Sequence, residues 1–214
     1  PPHVVISAIE HPAVDKCVAA LEATGRLTAT RVAVDAEGLV DAADVAAAVT
    51  DRTILVSVMH SNNEVGSVQP IARIAAAARA ACPGVLVHTD AAQSVGKVAL
   101  DVAELGVDML TVVGHKFGAP KGVAALYKRR GLRLPPLLHG GGQEAGLRAG
   151  TECVVLQVAL GRAAEIALAE LPQLREHMAA TRDRLAELLT EGLGAENVRV
   201  NGPVRADERL PHPP

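Results

Sequence analysis

The sequence predicts an α/β fold: a mostly parallel sheet with helices on both faces. Short β-branched runs recur that are apolar almost without interruption, the pattern of strands buried on both sides. Alanine-rich helical stretches separate several of these runs, and alternating strand and helix is how a parallel sheet is built. A chain of 214 residues with 49% hydrophobic residues can bury a core of that kind, as one large domain or a domain plus part of another.

The strand-like runs are Val4–Ile6, Thr28–Val34, Ile54–Met59, Val85–Thr89, Met109–Val113 and Val123–Tyr127. Helical stretches are Pro12–Ala23, Ala42–Val49 and Ile71–Ala81, the last entered through Pro70, whose fixed φ suits a first turn. After Gly150 the alternation stops. Residues from Cys153 to Leu193 read as helix, with Pro172 as a break or kink, then Val198–Val200 as another strand and Asn201-Gly202-Pro203 as a turn. The expected organisation is a large domain over 1–152, linking helices over 153–193, and the start of a small α+β domain over 194–214. Pro1 and Pro2 feed at once into an apolar run, no initiator Met is present, and Arg205–Pro214 is polar and proline-rich, so a piece of a longer protein is expected.

Composition excludes several function classes. The net charge is −3, Trp is absent, and only Phe117 and Tyr127 offer aromatic rings, which argues against a nucleic-acid partner. No apolar run approaches the roughly 20 residues that span a bilayer, and the first residues lack the order of a signal peptide, so a soluble, cytoplasmic protein is expected. Cys17, Cys82 and Cys153 form neither a metal-binding pair nor an even-numbered disulfide framework, which points to a reducing compartment and to buried, inert thiols.

In an open α/β sheet, ligands bind beyond the carboxyl ends of the strands, so polar residues there carry the most weight. Four places qualify: Glu10-His11, Ser61-Asn62-Asn63-Glu64, His88 to Gln93, and Gly114-His115-Lys116. A lysine is ordinarily a solvated surface residue. Lys116, however, follows an apolar strand and has Gly114, Gly118, Pro120 and Gly122 about it to shape tight turns, and a desolvated amine there can form an imine with an aldehyde cofactor. Asp90 and Gln93, three apart, share one face if a helix begins there. A carboxylate so placed suits a pyridinium nitrogen, although a helix cap explains Asp90 equally well. His115 can donate to a phosphate and His11 can stack on a ring, or both can be merely solvated. Asn62-Asn63 can be a turn with local bonds to the backbone. Gly140-Gly141-Gly142, with Arg148 and Thr151 beyond it, can present amides and a hydroxyl to an anion, or can be an idle linker.

Taken jointly, these residues resemble a known family. Glu10-His11, NNEVG at 62–66, VHTDAAQSVGK at 87–97, GVDMLTVVGHKFGAPKG at 106–122 and GGGQEAGLRAGTE at 140–152 are similar to the cysteine desulfurases and selenocysteine lyases. These form part of the class V aminotransferase-like branch of fold-type I pyridoxal phosphate enzymes. The resemblance implies the large cofactor-binding domain of such an enzyme, pyridoxal 5′-phosphate as cofactor, and removal of sulfur or selenium from L-cysteine or L-selenocysteine to leave L-alanine. It implies Lys116 as the lysine joined to the cofactor and as a proton-moving base. His11 would stack on the ring and assist proton transfer, Asp90 would pair with the ring nitrogen, Gln93 with the ring hydroxyl, and His115 with the phosphate. Asn63 would sit near the ring hydroxyl and substrate carboxylate. Thr151 would reach the phosphate of a second subunit, which implies a homodimer, and a sulfur or selenium acceptor protein is implied as a partner.

Two departures stand out. Val113 offers no hydroxyl where many desulfurases carry a serine on the phosphate side, and TVVGHKF instead resembles the selenocysteine lyase side. The family's phosphate loop would precede residue 1, and its reactive cysteine and carboxylate-binding arginine would lie beyond Pro214, since none of the three cysteines matches. Two competing readings are a metal-dependent hydrolase with His88, Asp90 and His115 as ligands, the first two at i and i+2 on one strand face, and a truncated, non-catalytic scaffold of the same fold.

Overall fold

Strand length and pairing in the computed structural model, which describes residues 1–212, follow from how many neighbours each apolar run has. Pro213 and Pro214, the end of the proline-rich tail, lie outside the described residues. Six strands form one sheet in the order β2-β1-β3-β4-β5-β6, with β1 at His3–Ser7, β2 at Thr28–Val32, β3 at Thr53–Ser57, β4 at Leu86–Asp90, β5 at Met109–Val113 and β6 at Ala124–Lys128. The first five are parallel and β6 is antiparallel to β5, Met109 facing Lys128 and Val113 facing Ala124. This is the mostly parallel sheet that the apolar runs predict. Helices α1 (Pro12–Ala23), α2 (Ala42–Ala48), α3 (Ile71–Ala81), α4 (Val102–Leu105) and α5 (Val154–Leu193) complete the fold.

Strand β1 lies between β2 and β3, and all five of its residues are buried. Its side chains alternate between the two faces. Val5 joins Val56, Val87 and Leu110 in a core covered by Val45 of α2 and Ile71, Ile74 and Ala78 of α3. Val4 and Ile6 meet Val14 and Val18 of α1 on the other face. Each fully buried valine or isoleucine contributes about 1.5–3 kcal/mol, so this doubly covered centre carries much of the stability.

The helices begin where side chains satisfy their free amides. His11 Nδ1 accepts from the Ala13 amide at 3.1 Å, Asp41 Oδ1 from Ala43 at 2.9 Å, and Asp101 Oδ1 from Ala103 at 2.7 Å. Asp108, just before β5, knits three further elements. Its carboxylate accepts from the Val87 amide at 2.9 Å, Arg79 of α3 at 2.8 Å and Arg129, just past β6, at 2.7 Å. Burial raises its pKa, but the bonds from Arg129, Val87 and Arg79 outweigh that and hold it below the usual carboxylate value.

Several local expectations change. The run at Thr28–Val34 stops at Val32, which pairs with Ser7, the last residue of β1; beyond it no partner strand remains. As the two edges, β2 and β6 are partly exposed rather than buried on both faces. Pro172 does not break α5, which is helical without interruption from Val154 to Leu193. The helix is mostly exposed, so solvent can satisfy the carbonyl that a proline leaves unpaired. Val198–Val200 is not a strand among the described residues, because no neighbour offers a hydrogen-bonding edge there. Instead, Pro203 and Leu210 are buried, the Val68 amide donates to Glu208 O at 2.7 Å, and the Leu210 amide donates to Gly66 O at 2.8 Å. Gly202 permits this docking: its φ is +80°, and a Cβ would fall 2.1 Å from the Val65 carbonyl oxygen. Cys17 and Cys153 are exposed rather than buried.

Candidate functional site

The strand order makes one continuous row of the four places at the carboxyl ends. Because β1, β3, β4 and β5 are consecutive neighbours in the sheet, Glu10-His11, the loop at 60–64, the turn at 90–97 and the single 3-10 turn at Gly114–Lys116 lie side by side. Asp90 is the last residue of β4, and its backbone carbonyl accepts from the His60 amide at 2.8 Å, holding two of these segments together. No regular helix follows Asp90. The chain instead makes successive turns, with Ser94 and Val95 amides donating to Ala91 O, and the Asp90 Oδ1 atom accepts from the Ala92 amide at 2.9 Å. Asp90 is therefore a capping residue through one oxygen. Its Oδ2 has no hydrogen bond among the described residues.

Gln93 and Lys97 are four apart on these turns, and Lys97 Nζ donates to Gln93 Oε1 at 3.0 Å. The amide nitrogen of Gln93 is left without a hydrogen-bond partner among the described residues. Burial, then the nearby Lys116 ammonium, lower the Lys97 pKa to about 8. Lys116 and His115 are exposed, so the Lys116 amine is reached by solvent in this chain rather than desolvated.

At the β1 end, the His11 ring is fixed by its capping bond, which uses Nδ1 and leaves Nε2 for another partner. The neighbouring Glu10 is buried: its Oε1 accepts from Ser7 Oγ at 2.5 Å and from the Met59 amide at 2.8 Å, while Oε2 is buried without a partner. Burial pushes its carboxyl up to about 7 against those two hydrogen bonds, and the Asp90 carboxylate adds to the rise. For an acid whose folded pKa exceeds its unfolded value, the native state binds the extra proton, so stability falls as pH rises from about 4.5 to about 7. Urea unfolding at pH 5 and pH 8 checks this: Glu10→Gln, which keeps the shape without the charge, is expected to lose about 2–3 kcal/mol less than the parent across that interval.

Of the two asparagines, Asn62 is structural. Its Nδ2 donates to Ile9 O at 3.1 Å and its Oδ1 accepts from the Glu64 and Val65 amides, whereas Asn63 is partly exposed with no side-chain bond among the described residues. His60 Nδ1 bonds Ser94 Oγ at 2.8 Å, and burial brings that imidazole down to about 4, so it is neutral. His88 is committed through both nitrogens, to Ser57 Oγ at 2.7 Å and Thr111 Oγ1 at 2.9 Å. That corrects the metal-hydrolase reading: a half-buried imidazole bonded on both sides is not a free ligand, and no metal-holding group of three or more His, Cys, Asp or Glu exists among the described residues.

Thr151 is not in the row. It is exposed beside a cleft of about 1030 Å³ lined by Ala124, Leu126, Arg148, Leu156 and Leu160, over the β6 edge and the start of α5. The glycine-rich segment before it turns through Glu144 and Ala145 at φ values of 52° and 55° and is exposed. Sequence reasoning missed Lys97 and the burial of Glu10; the i, i+4 spacing of Gln93 and Lys97 was the available signal for the first.

The class-V aminotransferase profile matches residues 2–211. The chain belongs to the class-V aminotransferase family. Among class-V relatives, it is 41% identical over 212 residues to the cysteine desulfurase IscS of Clostridium botulinum, covering 98% of this chain and 52% of that protein. A cysteine desulfurase of Gluconacetobacter diazotrophicus is 44% identical over 209 residues, covering 98% of this chain and 51% of its own length. The chain thus spans about half the length of the curated relatives it matches. A solved structure described as a NifS-like protein superposes with a TM-score of 0.89 at 37% identity, over 98% of this chain and 56% of its own. The mostly parallel sheet with helices on both faces, predicted from the strand and helix pattern, is the fold observed, and it is the fold that the family resemblance implies. No helix among the described residues is long and apolar enough to cross a membrane.

Proposed function

We propose that this chain is the cofactor-binding part of a cysteine desulfurase that uses pyridoxal 5′-phosphate to convert L-cysteine to L-alanine. The observation that carries the reading is the set of unengaged groups on adjacent strand ends: Asp90 Oδ2, the Gln93 amide nitrogen and the Lys116 amine. They fit the donor and acceptor requirements of this cofactor. A carboxylate suits the ring nitrogen, an amide N–H suits the ring hydroxyl, and a primary amine suits the aldehyde. His115 is available to the phosphate, Asn63 to the ring hydroxyl and substrate carboxylate, and His11 to the ring face.

When bound, the cofactor supplies an electron sink for charge developing on the substrate carbon. The rest is the work of this chain. Lys116 Nζ holds the cofactor and afterwards carries a proton to or from the substrate carbon. Asp90 keeps the ring nitrogen protonated. His11, its Nδ1 occupied by the Ala13 amide, has Nε2 as its proton-carrying atom. A cysteine thiolate would attack the substrate sulfur, breaking its bond to carbon and forming a persulfide whose outer sulfur passes to an acceptor protein, while the carbon takes a proton to give alanine.

We further infer a homodimer in which Thr151 and the start of α5 face a second copy. Val154, Val155 and Val158 there are 63%, 78% and 66% exposed, more apolar surface than a free helix start carries comfortably. Relatives named cysteine desulfurases favour sulfur, while the TVVGHKF segment favours selenium. The complete protein, supplied with pyridoxal phosphate and a thiol reductant, is expected to release equal amounts of alanine and sulfide from L-cysteine. Alanine from L-selenocysteine alone would replace the desulfurase by a lyase, and alanine from neither would end the proposal.

A further inference from the structure

Lys97 ties Gln93 to the turn that carries Lys116. Lys97 is partly buried, donates to Gln93 Oε1 at 3.0 Å, and is close enough to Lys116 for the two ammonium groups to repel. This meeting is built in. Gly96, just before Lys97, has φ +76°, and a Cβ there would lie 2.7 Å from Phe117 Cβ and 3.3 Å from Ala167 of α5. The turn bearing Lys97 is therefore pressed against the residue that follows Lys116, and no other amino acid fits at that approach. Gln93 is the side chain whose identity the arrangement decides. With Oε1 accepting from an ammonium, which has no lone pair to accept anything in return, the amide is oriented and its N–H donors face away from Lys97.

We propose that Lys97 is a positioning residue of the cofactor site, which fixes the flip of the Gln93 amide so that its N–H donates to the ring hydroxyl and holds a positive charge beside Lys116. The inference rests on the proposed pyridoxal phosphate site. At neutral pH Lys97 is mostly charged, since burial and Lys116 bring it down only to about 8, so the ammonium is present under working conditions. The charged and polar groups facing it are Gln93 on its own turn and Lys116 from the β5 end.

The test uses the complete protein and four forms: parent, Lys97→Met, Gln93→Ala and the double variant. Cofactor retention is read from the visible absorbance during dialysis, and its pH midpoint from a titration. Lys97→Met is expected to weaken retention roughly tenfold, as loss of one charge-assisted hydrogen bond does. It is also expected to raise the pH midpoint of the absorbance change by about one unit, because a positive neighbour that disfavours a second positive charge is gone. The double variant should retain cofactor no worse than Gln93→Ala, since Lys97 acts through Gln93. Additive losses, or a Lys97→Met protein with the parent's retention and midpoint, would overturn the proposal. Lys97→Gln carries the same expectations should Lys97→Met fail to fold. If the parent itself takes up no cofactor at Lys116, it is the underlying function that fails, not the role of Lys97.

Discussion

Lys116→Ala in the complete protein is expected to abolish alanine release, with kcat/KM reduced by more than about 10³-fold, if Lys116 is the amine that joins the cofactor as proposed. Lys116 is exposed and makes no hydrogen bond among the described residues, so its removal is expected to leave the melting temperature of the cofactor-free protein within a degree or two of the parent. That separation of activity from stability makes the variant informative. Lys116→Arg sharpens it: the positive charge stays beside Lys97, yet a guanidinium that does not deprotonate cannot attack an aldehyde. Borohydride treatment followed by peptide mapping should attach cofactor to residue 116 in the parent and to neither variant. Label elsewhere in the parent, or full activity of either variant, would remove Lys116 from its role.

Asp90→Asn tests a different link. The asparagine oxygen still accepts from the Ala92 amide, so the turn after β4 persists, but the charge is lost. The expected cost is roughly 10²–10³-fold in kcat, the size seen when a preorganised electrostatic partner is removed, with little change in unfolding midpoint. A second readout is independent of turnover. Burial is the main reason the Glu10 carboxyl lies near 7, and the Asp90 charge adds to it, so Asp90→Asn should lower the Glu10 midpoint by a fraction of a unit in a carbon-13 titration. An unchanged Glu10 midpoint together with unchanged kcat would show that Asp90 only caps its turn.

Much of the architecture was legible because a strand buried on both faces leaves a continuous apolar run and a helix leaves a 3.6-residue period. Val4–Ile6, Met109–Val113, Pro12–Ala23 and Ile71–Ala81 all announce themselves this way. The errors share one cause. Val198–Val200 has strand-like residues but no edge to bond, Thr28–Val34 outruns its partner, and Pro172 breaks a helix only in isolation; each outcome depends on neighbours remote in the chain. Helix α4, only four residues long, is too short to show a period at all.

By itself the sequence determined the chemistry on offer and its local setting: an amine after an apolar strand, a carboxylate at a turn, a histidine before Pro12. Only the tertiary structure decided which of these meet. Glu10 reaches the Met59 amide across 49 positions, and His88 is closed off by Ser57 and Thr111 from 31 positions before and 23 after it. Such separations are spanned by parallel pairing in the order β1-β3-β4-β5, which sets neighbouring strand ends about 5 Å apart whatever their distance along the chain. Residue type is a local property, whereas proximity, burial and the pKa shifts they cause belong to the assembled sheet.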